Sequence, residues 1–157
     1  MDDISIRKIL TDCEFFSVLD NEYLDLLSGK AKERRIDAGK IVFRQGEHAG
    51  TFYLLLSGRI TVEIPSVYGP SIEIQNLGAG QILGWSWLIS PYQWEFQAKT
   101  LEDSVLLEFD GKSILEDCEN NPRFGYKLLS SFSVLMSQRL HASRQRMMDE
   151  WNPAGFA

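Results

Sequence analysis

The sequence contains few residues of the kinds that bind metal ions or form cross-links. It has two histidines, His48 and His141, and two cysteines, Cys13 and Cys118. The histidines lie in different predicted elements, so they do not form the ligand cluster that a metal enzyme needs. The cysteines show no motif spacing and the acidic N-terminus does not resemble a signal peptide, which favours a reducing cytoplasm. We therefore expect no metal site and no enzyme activity.

Long apolar runs and an excess of basic residues are also missing. The longest apolar runs, such as FYLLL at 52–56, are far shorter than the roughly 20 residues that span a bilayer. The chain has 16 Lys and Arg against 22 Asp and Glu, a net charge of −6, which argues against a general nucleic-acid-binding surface. A length of 157 residues with 44% apolar residues predicts one globular domain over residues 1–157.

The hydrophobic pattern changes twice along the chain. Helical spacing predicts N-terminal helices at about 4–30 and C-terminal helices at about 111–151. Between them, at about 31–110, short segments alternate apolar and polar residues and are separated by Gly-rich turns, as in Ile60–Ile64. Many short strands with such turns predict an antiparallel β-roll or jelly roll with flanking helices.

A long helix is predicted at the end of the chain. Asn121 and Pro122 form a strong N-cap and first-turn pair, and only Gly125 interrupts the helical pattern before Trp151. Thirty helical residues reach about 45 Å, which is longer than a small barrel covers. We therefore predict a homodimer that forms through the helix at 122–151.

One aromatic segment, GQILGWSWLISPYQWEFQAKT at 80–100, holds three of the four tryptophans, Trp85, Trp87 and Trp94. Such a cluster either fills a core or forms aromatic walls for a ligand. The sequence leaves both interpretations open.

The order of these features resembles a known family. AGKIVFRQGEHAGTFYLLLSGRITVEI, LGAGQILGWSWL and NPRFGYKLLSSFSVLMSQRL are similar to the cyclic nucleotide-binding domain of the catabolite-activator (Crp/Fnr) superfamily, over roughly residues 10–147. The resemblance implies a ligand inside the roll, beneath a short phosphate-binding cassette, and a long C-terminal helix that pairs with its twin. GWSWL is typical of a variant branch of the superfamily.

The cassette departs from the family pattern at its charged positions. Gly84 matches the cassette glycine, but Trp85 stands where the family usually has the glutamate that binds the ribose. Tyr92 and Gln93 stand where the phosphate-binding arginine is expected. The cassette therefore lacks the charged residues on which the usual cyclic AMP binding of the family depends.

The resemblance nevertheless implies a set of ligand-binding residues. Arg139 and Ser143, aligned on QRL, are expected to reach the ligand from the long helix, where Arg139 either meets the base or an anion, or pairs with an acid at a dimer seam. The full predicted set is Gly84, Trp85, Ser86, Trp87, Gln93, Trp94, Arg139 and Ser143.

The predicted function is a non-enzymatic regulatory sensor. It would bind a cyclic nucleotide or another flat small molecule inside the roll and signal through its C-terminal helix. The alternative is an interaction module, with a protein partner, whose pocket is plugged by tryptophans. The superfamily's transcription regulators continue into a helix-turn-helix domain, whereas this chain ends at WNPAGFA. We therefore expect a stand-alone, cytoplasmic domain without direct DNA binding.

Overall fold

The computed structural model describes the backbone of residues 1–151 and the side chains of residues 1–150. The end of the predicted domain, 152–157, lies outside the described residues. Four α-helices and eight strands follow the order α1 (Asp3–Asp12), α2 (Asn21–Ser28), β1 (Ala31–Ile36), β2 (Ile41–Phe43), β3 (Thr51–Ser57), β4 (Ile60–Ile64), β5 (Ile72–Leu77), β6 (Ile82–Leu83), β7 (Gln97–Thr100), β8 (Ser104–Asp110), α3 (Gly111–Asn120) and α4 (Pro122–Trp151). Short 3₁₀ helices occur at Glu14–Phe16 and Ser86–Leu88. No described helix has the length and apolarity needed to cross a bilayer.

The strands form two four-stranded sheets, in the orders β1-β8-β3-β6 and β2-β7-β4-β5. Every strand pair is antiparallel. Together with the helices at both ends, this arrangement confirms the predicted jelly roll with a long C-terminal helix.

The central strands of the first sheet, β3 and β8, are buried on both faces, because they contribute to two hydrophobic clusters. Phe52 and Leu54 of β3 face a cluster shared with the helices, whereas Tyr53 and Leu55 face a cluster inside the roll. A strand with two buried faces needs apolar residues at successive positions, which explains the FYLLL run. The molecule is thus layered as helices, sheet and sheet.

The predicted start of α4 is present in the structure. The side-chain oxygen of Asn121 accepts a hydrogen bond from the backbone N–H of Phe124 (3.3 Å), and Pro122 is the first helical residue. Asp20, which precedes α2, makes no capping hydrogen bond with its side chain. Its carboxylate instead pairs with Lys127 (3.2 Å) and Arg123 (3.7 Å) and so holds α4 against the N-terminal helices.

Strand β1 was not identified from the sequence. Its residues AKERRI include four consecutive charged side chains, so no apolar alternation marks it. It forms because β8 offers an unpaired edge, on which Ala31 lies opposite Phe109 and Ile36 opposite Ser104. Lys32 and Arg34 then pair with Glu108 of β8 at 3.2 Å each.

Candidate ligand site in the roll

The aromatic segment begins at a glycine that the structure requires. Gly84 has φ +98°, and a Cβ atom at this position would lie 2.9 Å from Cζ3 of Trp94. L-residues rarely adopt such a φ, and the ring leaves no room for a side chain. Gly84 therefore lets the chain turn from β6 into the 3₁₀ helix directly over the Trp94 ring.

The three tryptophans of the segment enter different environments. Trp94 is 5% exposed and stacks on Phe43 inside the roll, with ring centroids 3.7 Å apart and planes 8° from parallel. Trp87 is 1% exposed and packs on the opposite side of the first sheet, 4.9 Å from Phe52 and 5.1 Å from Phe132. Trp85 is half-buried at the edge of the helix-side cluster.

A small cavity lies where the 3₁₀ helix, the roll and α4 meet. Its volume is about 10 Å³, roughly the space that one water molecule needs. The walls combine aromatic and aliphatic side chains with a few polar groups: Phe43, Val62, Leu83, Gly84, Trp85, Ser86, Trp94, Glu95, Phe96 and Arg139. The Phe43–Trp94 stack belongs to the hydrophobic cluster inside the roll.

Arg139 is the charged group of α4 at this cavity. It is 2% exposed, and all three of its guanidinium nitrogens lack a hydrogen-bond partner among the described residues. Burial lowers the pKa of Arg139 to about 10, so the side chain still carries its charge at neutral pH. A buried guanidinium without an acceptor is costly, which marks the cavity as electrostatically incomplete.

Five of the eight predicted ligand-binding residues surround this cavity: Gly84, Trp85, Ser86, Trp94 and Arg139. Trp87, Gln93 and Ser143 do not line it. Trp87 belongs to the helix-side core, and Gln93 is exposed and forms an isolated bridge with His48. Ser143 lies one turn beyond Arg139 on α4, where its buried hydroxyl has no partner among the described residues.

The sequence reasoning missed the cavity residues that come from other strands. Phe43 ends β2, Val62 lies on β4, and Glu95 and Phe96 precede β7. The position of Phe43 in the sequence indicates a strand end, because it is the last apolar residue before the QGE turn. The pairing that brings it onto Trp94 is non-local and is not visible in the sequence.

The remaining reactive side chains are scattered. Cys13 and Cys118 are both free, and burial is the main cause that raises the pKa of each thiol, to about 11 for Cys118. Within residues 1–151, no three His, Cys, Asp or Glu side chains converge on a point that suits a metal ion.

Solved structures with the same architecture include three that are informative. A putative cyclic nucleotide-binding protein from Geobacter metallireducens GS-15 is 24% identical with a TM-score of 0.76, over 90% of this chain and 99% of that one. The sensor domain of the transcriptional regulator DNR from Pseudomonas aeruginosa is 23% identical with a TM-score of 0.72, over 88% and 93%. The regulatory domain of Toxoplasma gondii PKA, solved with cAMP, is 17% identical with a TM-score of 0.69, over 88% and 49%. At these identities the likeness shows the fold.

The family is shown by a separate comparison. The model of the cyclic nucleotide-binding domain matches residues 33–121, more than half of the chain. No sequence among the curated proteins matches. The chain belongs to the cyclic nucleotide-binding domain family.

Proposed function

We propose that this cyclic nucleotide-binding domain is a non-enzymatic regulatory sensor whose ligand occupies the cavity beside Arg139 and acts on α4. The observation that carries this proposal is the position of Arg139. It belongs to α4 and is buried, yet it lines the same cavity as Gly84 and Ser86 of the cassette. A ligand at this point contacts the roll and the helix together, so its binding energy bears directly on how α4 is docked.

The helix also offers a surface through which the signal would pass. Tyr126, Leu140 and Met147 of α4 lie at intervals of seven or fourteen residues and are 74%, 70% and 67% exposed. Exposed apolar residues at this spacing, with Ser133 at the intervening position, lie along one side of the helix, which suits pairing with a second helix. We propose that two copies of the chain pair through this face.

We also propose that the protein works in a reducing cytoplasm, where the free thiols of Cys13 and Cys118 would stay reduced.

The cavity is too small for a bound cyclic nucleotide in the described state. A volume of about 10 Å³ holds a water-sized group, and Trp94 stacked on Phe43 fills the neighbouring space. Binding of cyclic AMP would require Trp94 to leave its stack and would lack the usual cassette arginine. We therefore propose that the sensor responds to a smaller ligand than the family norm.

The second candidate function is an interaction module with a plugged roll. The Phe43–Trp94 stack favours it, because two large rings at 3.7 Å resemble finished core packing. In that case α4 presents a constant surface to a partner protein and no small molecule changes it. The unpaired guanidinium of Arg139 argues against this candidate, since a well-packed core rarely leaves such a group without a partner.

Two measurements separate the candidates. In the first, the protein is titrated with cyclic AMP, cyclic GMP and a panel of small metabolites. Tryptophan fluorescence is the readout, because Trp85 and Trp94 line the cavity. Amide hydrogen exchange of residues 135–147 is then compared with and without each compound that binds. A sensor gives a saturable fluorescence change together with slower or faster exchange in α4. Saturable binding that leaves α4 exchange unchanged, or no binding by any compound, rejects the sensor function.

A further inference from the structure

Arg139 lacks the anion that its surroundings require. All three guanidinium nitrogens are buried and unpartnered within residues 1–151, although arginine normally donates several hydrogen bonds when it is buried. The side chain is 2% exposed within a single chain, so an acid from a second copy does not reach it without rearrangement. Arg139 is also one of the residues that line the small cavity, so a ligand there has a buried, unpartnered donor group at hand.

The cavity has no acid of its own that neutralises this charge. Glu95 also lines the cavity, but it is exposed and does not pair with Arg139 within 4.0 Å. The next polar groups on the same face of α4, Ser143 and Arg146, also have buried atoms without partners. Ser143 adds a hydroxyl, and the charge of Arg146 is already paired with Glu150 (3.1 Å), so neither residue supplies a counter-charge to Arg139. The local field thus favours an anion.

Size and shape restrict that anion. The cavity as described holds about one water-sized group, so its side chains have to move slightly even for the smallest oxyanion. The guanidinium fork is matched to two oxygens held in one plane. Ser86, which is 4% exposed, lines the same cavity and is a second hydrogen-bonding residue there. Carboxylates and small inorganic oxyanions share this chemistry.

We propose that the cavity is a binding site for a small oxyanion, held by the guanidinium of Arg139 and by Ser86, which lines the same cavity. This inference rests on the proposed sensor function and names the ligand class of its site. Bound anion neutralises a charge that belongs to α4, so it fastens the helix to the roll. Without the anion, the unpaired charge weakens that docking.

The test uses the whole chain and three probes. Sodium acetate, sodium nitrate and sodium phosphate are titrated against sodium chloride at constant ionic strength, with tryptophan fluorescence and Tm as readouts. We expect a saturable change with at least one oxyanion and a rise in Tm that chloride does not give. Arg139→Met is expected to abolish both responses, whereas Arg144→Met, an exposed arginine on the same helix, leaves them unchanged.

The Arg139 variant is also expected to differ from the unmodified protein in Tm when no oxyanion is added. Removing an unpaired buried charge while keeping the side-chain volume is expected to raise Tm by roughly 3–10 °C in chloride. Arg139→Lys keeps the charge but loses the fork, and we expect it to weaken oxyanion binding at least tenfold. An Arg139→Met protein that still responds to the oxyanions like the unmodified chain overturns the proposal.

The outcomes distinguish this inference from the proposed function. If none of the three oxyanions binds but cyclic AMP or another compound does and alters α4, the ligand class is wrong and the sensor function stands. If an oxyanion binds through Arg139 without changing amide exchange in α4, the site is correct and the sensor function is wrong. If chloride acts as well as the oxyanions, the response is charge screening and the proposed site is rejected.

Discussion

At the scale of single residues, the Trp94 ring limits which side chains can occupy position 84. The positive φ of Gly84 and the 2.9 Å approach of the Trp94 ring restrict the same position for different reasons. Gly80 separates the two effects, because it has a similar φ of +86° but nothing within 4 Å of a Cβ atom. Comparing substitutions at Gly84 and Gly80 therefore measures how tightly the Trp94 ring is packed against position 84.

We expect Gly84→Ala to destabilise the protein more than Gly80→Ala. Both substitutions incur about 1–2 kcal/mol from a backbone conformation that L-residues disfavour. Gly84→Ala adds about 1–3 kcal/mol for forcing a methyl group against the Trp94 ring. Urea unfolding gives the free energies of unfolding. Equal costs for the two substitutions would show that Trp94 moves aside easily and that the Phe43–Trp94 stack is loose.

The residue scale also shows the limits of the sequence reasoning at the site. The cassette glycine and the lost charges at Trp85, Tyr92 and Gln93 could be identified from the resemblance. Which tryptophan faces the roll could not, because Trp94 is positioned by distant hydrogen bonds. The N–H of Gly46 donates to its carbonyl (2.8 Å), and its own N–H donates to the carbonyl of Glu47 (3.0 Å). A pattern of neighbouring residues contains no information about such pairings.

At the scale of elements, α4 was predicted best because its signals are local. Asn121 and Pro122 mark its start in the sequence, and the observed cap uses the same residues. Strand β1 was missed because its formation depends on β8, which lies far along the chain, and not on its own composition. Elements with their own capping or periodic signal could be predicted, and elements completed by a partner strand could not.

We expect Asn121→Ala to lower the free energy of unfolding by about 1 kcal/mol, the usual cost of losing a helix N-cap. The neighbouring Asn120 is a matched control, because it is exposed and its side chain makes no hydrogen bond with a described residue. Asn120→Ala should change stability by less than about 0.5 kcal/mol. Thermal or urea unfolding of both variants checks the prediction. If the two variants are equally stable, the 3.3 Å hydrogen bond from Phe124 does not contribute.

At the scale of the whole molecule, the two faces of α4 differ in burial. One face buries Phe124, Leu128 and Phe132 against the helices and the first sheet. The other face leaves Tyr126, Leu140 and Met147 in solvent. A single chain has no surface among its described residues that covers this second face.

We expect the protein to sediment or scatter light as a dimer, at twice the 17.9 kDa of one chain. Leu140→Glu places a carboxylate in the middle of the proposed contact and should yield monomers at micromolar concentration. Gln145→Glu adds the same charge at another exposed position of α4, off the apolar repeat, and should leave the dimer intact. A monomeric unmodified protein, or equal effects of the two substitutions, would contradict pairing through this face.

The fit of the Trp94 ring beneath Gly84 has a consequence for how this sequence can diverge. A side chain at position 84 meets the ring for as long as tryptophan occupies position 94. A smaller residue at 94 removes that obstacle and leaves only the backbone penalty. A lineage that replaces the glycine before the tryptophan therefore meets the clash with the ring, whereas one that replaces the tryptophan first does not.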